Sequence, residues 1–262
     1  MINVSTPLPI DMNSDLSSRM DSGKMPPKVK ELYFKTYKHD AFNDALESLH
    51  ETFRMSGLDG TGCLLLGEPG VGKSRLLRYF TTEIYSLHRY QPTNELTPLP
   101  ILSIRVPGKP SINRVLEKLL ECAGHLAPQV RASEPATIRL NRLIKSLKVE
   151  MIIFDEFQHL LRRNATISTS DVMKFLKVLM DDHGLAIVFA GHHESLELLD
   201  EHADVKQRFE FAQAELIPFN LTSKGPGNVK EFASYLANIQ ENFKNSGINM
   251  CDLITPDMIT RI

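Results

Sequence analysis

Apolar residues change their spacing several times along this 262-residue chain. In residues 31–55 the positions Phe42, Ala45, Leu46, Leu49 and Phe53 recur at three-to-four spacing, which predicts a helix with one buried face. Ser56–Gly62 (SGLDGTG) interrupts it as a turn cluster. Beyond the turn, short continuous apolar runs alternate with helical periods. The runs predict strands over Cys63–Leu66, Pro100–Val106, Glu150–Phe154, Leu185–Ala190 and Ala214–Phe219. The periods predict helices over Lys73–Leu87, Ile112–Gly124, Ala136–Leu147, Asp171–Asp182 and Glu194–Asp200, with Ser170 placed to cap the fourth. Continuous rather than alternating strands are those buried on both faces. The expected fold is therefore α/β, a mostly parallel five-stranded sheet flanked by helices.

The ends of the chain read differently. Residues 1–30 are rich in Ser, Pro, Asp and Met without a lasting period, as in a flexible or partner-binding arm. Residues 31–221 carry the α/β pattern. Residues 222–227 (TSKGPG) form a linker, and in residues 228–262 Val229, Phe232, Leu236 and Ile239 share one helical face. The final residues, Ile259–Ile262, look like the opening of another helix, so residues 222–262 are expected to be the start of a small helical lid, apparently truncated.

Composition narrows the class. Apolar residues are 42% of the chain and charged residues 24%, as in a soluble protein with a sizeable core. No run approaches the ~20 apolar residues of a membrane helix. The N-terminus lacks the charged-then-apolar plan of a secretory signal. Three scattered cysteines (Cys63, Cys122, Cys251) suggest neither a disulfide frame nor a zinc cluster. A reducing bacterial cytoplasm is the expected compartment. Net charge is −2, yet Arg105–Lys148 holds nine Lys/Arg against three acids, or +6, which leaves −8 for the remainder. Asymmetry of this kind can mark a nucleic-acid face.

The chemistry begins at Gly67-Glu68-Pro69-Gly70-Val71-Gly72-Lys73-Ser74, followed by Arg75. Glycines let the backbone curl and aim N–H groups at phosphates, and the helix that opens here adds its positive dipole end. Lys73 can place an ammonium on the β/γ oxygens, and the Ser74 hydroxyl can ligate Mg²⁺. Met151-Ile152-Ile153-Phe154 then delivers Asp155 and Glu156 to a strand end. Asp155 is expected to hold the Mg²⁺ shell and Glu156 to activate the attacking water. ATP and Mg²⁺ are the expected cofactors, and ATP hydrolysis the expected reaction. The strand Leu185–Ala190 leads to Gly191-His192-His193, where His192 can sense the γ-phosphate. A metal site is disfavoured there, because adjacent tip residues point opposite ways and no third ligand is evident. Arg208 precedes the last strand, where an arginine can reach a neighbour's ATP, with Lys206 as the fallback. The stretch Leu32–Tyr37 is a plausible neighbour of the adenine.

These elements, in this order, resemble the AAA+ ATPases. Within them LLLGEPGVGKSRLLRYF (64–80), MIIFDEFQHLL (151–161), LAIVFAGHHESLELL (185–199) and VKQRFEFAQAELIPF (205–219) resemble the TniB/TnsC-type transposition regulators. That family usually carries a Gly-Thr-like tip where this chain has Gly191-His192. The resemblance implies rings or helical filaments on double-stranded DNA that connect a TniQ-like target-selection protein to a transposase. It also implies that ATP hydrolysis controls assembly and disassembly.

For DNA contact the sequence offers Lys109 in the loop Val106–Ser111, Arg114, and the polar arc Arg139, Arg142 and Lys145 opposite Leu140, Leu143, Ile144 and Leu147. Backbone contacts from such groups would give weak sequence preference and steep salt dependence. The alternatives are an AAA+ helicase loader and a protein-remodelling or signalling ATPase that leaves DNA alone. A two-lobed helicase does not fit in 262 residues.

Overall fold

The computed structural model describes residues 35–58, 60–87, 97–108, 111–124, 135–160, 169–200, 203–210, 212–219 and 229–248. In chain order the elements are α1 (Asp40–Arg54), β1 (Gly62–Gly67), α2 (Lys73–Tyr85), β2 (Ile101–Arg105), α3 (Ile112–Cys122), α4 (Ala136–Leu147), β3 (Met151–Asp155), α5 (Thr169–His183), β4 (Ala186–Gly191), α6 (Glu194–Leu199), α7 (Ala203–Lys206), β5 (Ala212–Leu216) and α8 (Val229–Asn245). Short 3₁₀ turns occupy Phe157–His159 and Gln207–Phe209. The five strands form one sheet in the order β2-β3-β4-β1-β5, and every pairing is parallel.

Alternation along the strands divides the core in two. Leu64, Leu66, Leu102, Ile104, Ile152, Phe154, Ile187 and Phe189 point to one face, where α3, α4 and α5 cover them. Cys63, Leu65, Ile101, Met151, Ile153 and Val188 point to the other, under α1 and α2. Four strands are buried along nearly their whole length, as a doubly covered sheet requires. Packing is tight enough that a Cβ on Gly62 would lie 2.4 Å from the Phe209 ring.

Two boundaries move from the sequence expectation. Helix α1 begins at Asp40 rather than near residue 31, and residues 35–39 precede it without regular secondary structure. Strand β5 is Ala212–Leu216, shifted back from Ala214–Phe219. It is an edge strand whose Ala214 and Leu216 are buried while Gln213 and Glu215 are exposed. Pro218 has no N–H to give a ladder, and Phe219 instead meets the rings of His39, Phe232 and Tyr235. Ser170 lies inside α5, which starts at Thr169, rather than ahead of it. The expected arm (residues 1–30), the TSKGPG linker and the chain end fall outside the described residues. Of the lid, α8 is described: none of its residues is fully buried, and it reaches the body through those aromatic contacts and Glu231, which accepts from the Asp40 N–H at 3.2 Å.

Candidate functional site

Parallel strands bring their C-terminal ends to one edge of the sheet, and the phosphate loop forms there between β1 and α2. Gly67 sits where a Cβ would lie 2.5 Å from the Leu216 carbonyl oxygen, so the loop can leave β1 this close to β5 only as glycine. Gly72 enters α2 in a left-handed conformation (φ 107°), with no side chain capping the helix and no acid in its first turn. The opening N–H groups of α2 are thus left for an anion.

Lys73 is nearly buried, at 9% exposure, and its ammonium donates to the carbonyls of Gly67 (2.7 Å) and Glu68 (2.9 Å). Burial pulls its pKa below the usual lysine value, while the charges of Asp155, Glu156 and Glu68 pull the other way. The Ser74 hydroxyl donates to Asp155 Oδ2 at 2.7 Å across the gap between α2 and β3. Asp155 is 3% exposed, and burial raises its pKa. The Ser74 bond opposes that rise and the Glu156 charge adds to it. A hydroxyl and a carboxylate oxygen facing one another are the hard donors that Mg²⁺ takes, so the residues fit that ion.

Glu156 follows with φ 59° and ψ 39°, a left-handed backbone unusual for a residue with a side chain. The turn drives Phe157 into the core, stacked on Phe189 with centroids 3.6 Å apart. It also brings Gln158 back, and Nε2 of its amide donates to Glu156 Oε2 at 2.6 Å. Arg105, the last residue of β2, lies 3.5 Å from Glu156 Oε1. The next residues bind the same turn: Val106 N–H donates to the Asp155 carbonyl (2.9 Å), and His159 Nδ1 donates to the Val106 carbonyl (3.0 Å). Gln158 and Arg105 were not singled out as site residues from sequence. The one available signal was that Gln158 falls two residues beyond Glu156 in Asp155-Glu156-Phe157-Gln158-His159.

His192 lies at the tip of β4, one residue past Gly191, which pairs with Leu66 of β1. Since β4 separates β1 from β3, the half-buried His192 sits between the phosphate loop and Asp155. His193 instead pairs with Glu215 of β5 at 3.1 Å. Among the described residues no group of three His, Cys, Asp or Glu could hold a metal, and no helix is long and apolar enough to cross a membrane.

Beside the loop opens a cleft of about 710 Å³, lined by Glu68–Gly72 and Arg75 on one side and by Tyr37, His39, Phe219 and Tyr235 on the other. Arg75 fastens the segment before α1 by donating to the Lys35 carbonyl at 2.8 Å. Lys35, Thr36 and Tyr37 line this cleft, where a base attached to loop-bound phosphates would lie.

Arg208 is elsewhere. It donates to the Gly60 carbonyl (3.2 Å) and pairs with Asp181 (2.5 Å), at the N-terminal end of β1. Seven residues of extended chain put it roughly 20 Å from its own phosphate loop. It lies out of reach of its own phosphate loop. Lys206 pairs with Asp200 at 2.7 Å.

The basic window is only partly a surface. Arg114 is exposed in the first turn of α3, and Arg142 and Lys145 are exposed on α4. Arg139 corrects the sequence expectation: it is 5% exposed and turned inward with Leu140 and Ile144. A helix turns 100° per residue, so position 139 lies on the Leu140–Leu143 side, and a long Arg stem packs there readily. Lys109 falls outside the described residues.

Comparison with solved structures gives the fold. ORC2 of Aeropyrum pernix, solved as ADPNP–ADP complexes, matches with 17% identity and a TM-score of 0.55 over 78% of this chain and 51% of that one. Aeropyrum pernix ORC1, solved in complex with DNA, matches at 17% identity and 0.55 over 81% and 51%. Domain III of the replication initiation protein DnaA from Thermotoga maritima matches at 15% and 0.50 over 85% and 77%. The chain spans about half the length of the two ORC proteins. No curated protein matches it in sequence. The fold is that of the AAA+ ATPases, as the sequence led us to expect. The family model described as bacterial TniB protein matches residues 30–217, most of the chain, and the protein belongs to the TniB family.

Proposed function

We propose that this protein is a Mg²⁺-dependent ATPase that regulates DNA transposition by assembling on double-stranded DNA. The observation that carries the ATPase part is the meeting of four groups at one sheet edge. Lys73 and Ser74 come from the loop, and Asp155 and Glu156 come from β3 across the gap. In the reading we adopt, the open N–H groups of α2 and the Lys73 ammonium hold the phosphates. Ser74 and Asp155 would hold Mg²⁺, which when bound would supply positive charge against that of the phosphates. Glu156 takes the proton from the attacking water, and His192 contacts the γ-phosphate or that water. The base occupies the cleft beside Tyr37 and Tyr235.

Arg208 lies at the far end of the sheet from its own loop, which supports a role at a neighbour's nucleotide in a ring or filament. In that role it must leave Asp181. Arg114, Arg142 and Lys145, with Lys109, are the proposed phosphate contacts to DNA. Family membership supports a transposase and a TniQ-like target-selection protein as partners, with hydrolysis dissolving the assembly. Electron microscopy and gel shift with duplex DNA and a slowly hydrolysed ATP analogue test this. ATP-dependent oligomers on duplex are expected. Absence of DNA retention in every nucleotide state would leave a protein-remodelling ATPase instead.

A further inference from the structure

We infer that Gln158 is the positioning residue for Glu156: its amide sets the direction in which that carboxylate faces the attacking water. This rests on the reading of Glu156 as the base. Three observations converge on the carboxylate. Gln158 Nε2 donates to Glu156 Oε2 at 2.6 Å, a short contact to a carboxyl oxygen. Arg105 stands 3.5 Å from the other oxygen, so both oxygens have a neighbour on the protein and the side chain is held from two sides. The backbone of Glu156 is left-handed, and that conformation is what returns a residue two positions later to its side.

The amide gives something up to be there. With its NH₂ on Glu156, Gln158 Oε1 is buried and accepts no hydrogen bond among the described residues. Flipping the amide would put an acceptor against a carboxylate, so the orientation is fixed. Gln158 is half-buried between the buried Phe157 and the half-buried His159, with the buried Leu160 two residues on, so an apolar side chain can be accommodated there. An orphaned acceptor among such neighbours lowers stability. Methionine has nearly the same length and no polar atom to orphan. On folding grounds alone it suits position 158 better than glutamine does. What it lacks is the hydrogen bond to Glu156.

The test is Gln158→Met in the full chain, with steady-state ATPase, ATP affinity and thermal denaturation. The expected kcat falls about 10-fold at unchanged KM, because misaiming a reacting group by a fraction of an ångström costs rate rather than binding. The expected Tm is unchanged or higher. Glu156→Gln and the double variant complete a cycle. Once Glu156 is gone, Gln158→Met should slow the residual reaction no further. An unchanged kcat in Gln158→Met overturns the inference. So does a kcat loss accompanied by a lower Tm, or an equal loss on the Glu156→Gln background, since either assigns Gln158 to the fold. If Glu156→Gln alone turns over normally, the base assignment fails first, and that result is distinct from the others.

Discussion

The two ends of the one parallel sheet carry charge in opposite ways. At the C-terminal end, Lys73 is held by neutral carbonyls and Asp155 by the Ser74 hydroxyl and the Glu156 N–H. Among the described residues neither forms an ion pair, and burial pulls the pKa of each toward its uncharged form. At the N-terminal end, Arg208 is joined directly to an opposite charge, Asp181, and to the Gly60 carbonyl. A column of Phe157, Phe189 and Phe209, stacked at 3.6 and 4.5 Å, runs from the Glu156 turn toward the Arg208 turn. One end therefore has room for more charge: Lys73 and Asp155 are buried and, among the described residues, form no ion pair, so phosphates and a cation would complete them. The other end is satisfied and must give up a bond to act elsewhere.

If that contrast is real, removing charge should have unequal consequences. The largest effect is expected from Lys73→Ala, which deletes the buried loop cation and should abolish ATP binding in a fluorescent-nucleotide titration. Retained affinity would break the phosphate-loop reading. Arg208→Ala should leave ATP binding by the free chain intact and lower turnover of the assembled protein by about 10³-fold, the low end for an arginine supplied in trans. A loss in the unassembled chain as well would mean that the Asp181 pair is its whole role. Glu156→Gln should bind ATP normally, turn it over roughly 10²-fold more slowly, and trap assemblies on DNA in a gel shift. Unchanged turnover would remove Glu156 as the base.

How much of this was legible in the sequence follows the same division. The Gly67–Ser74 loop, the Asp155-Glu156 strand end and the five strands were readable because each is set by neighbours close in sequence. The β5 boundary was misplaced, because Ile217 and Phe219 are apolar for the sake of the cleft and not of a strand. Arg139 was read as a surface cation, since a helical arc predicts facing but not how far a long stem folds under. The grip of Gln158 and Arg105 on Glu156 was out of reach of pattern. It depends on a left-handed turn at a non-glycine residue and on a β2–β3 pairing about fifty residues apart in sequence.

The smallest predicted effect tests the incomplete end without any nucleotide. Burial holds the Asp155 pKa above the usual carboxylate range, so the folded chain binds that proton more tightly than the unfolded chain does. By linkage, such a group lowers stability as pH rises through its folded pKa, and lowers it not at all well below its unfolded value. Asparagine keeps an oxygen for the Glu156 N–H, which donates to Asp155 Oδ1 at 3.0 Å, lets the Ser74 hydroxyl accept from its NH₂, and carries no charge. Nucleotide-free Asp155→Asn should therefore melt higher than the parent at neutral pH. The gap should close as pH falls toward about 4, near the unperturbed carboxylate value. Adding Mg²⁺ and ATP should raise the parent's Tm and leave the variant's nearly unmoved. A variant that melts lower at every pH would show that the Asp155 charge already has its counter-ion within the chain, and the contrast between the two ends of the sheet would disappear.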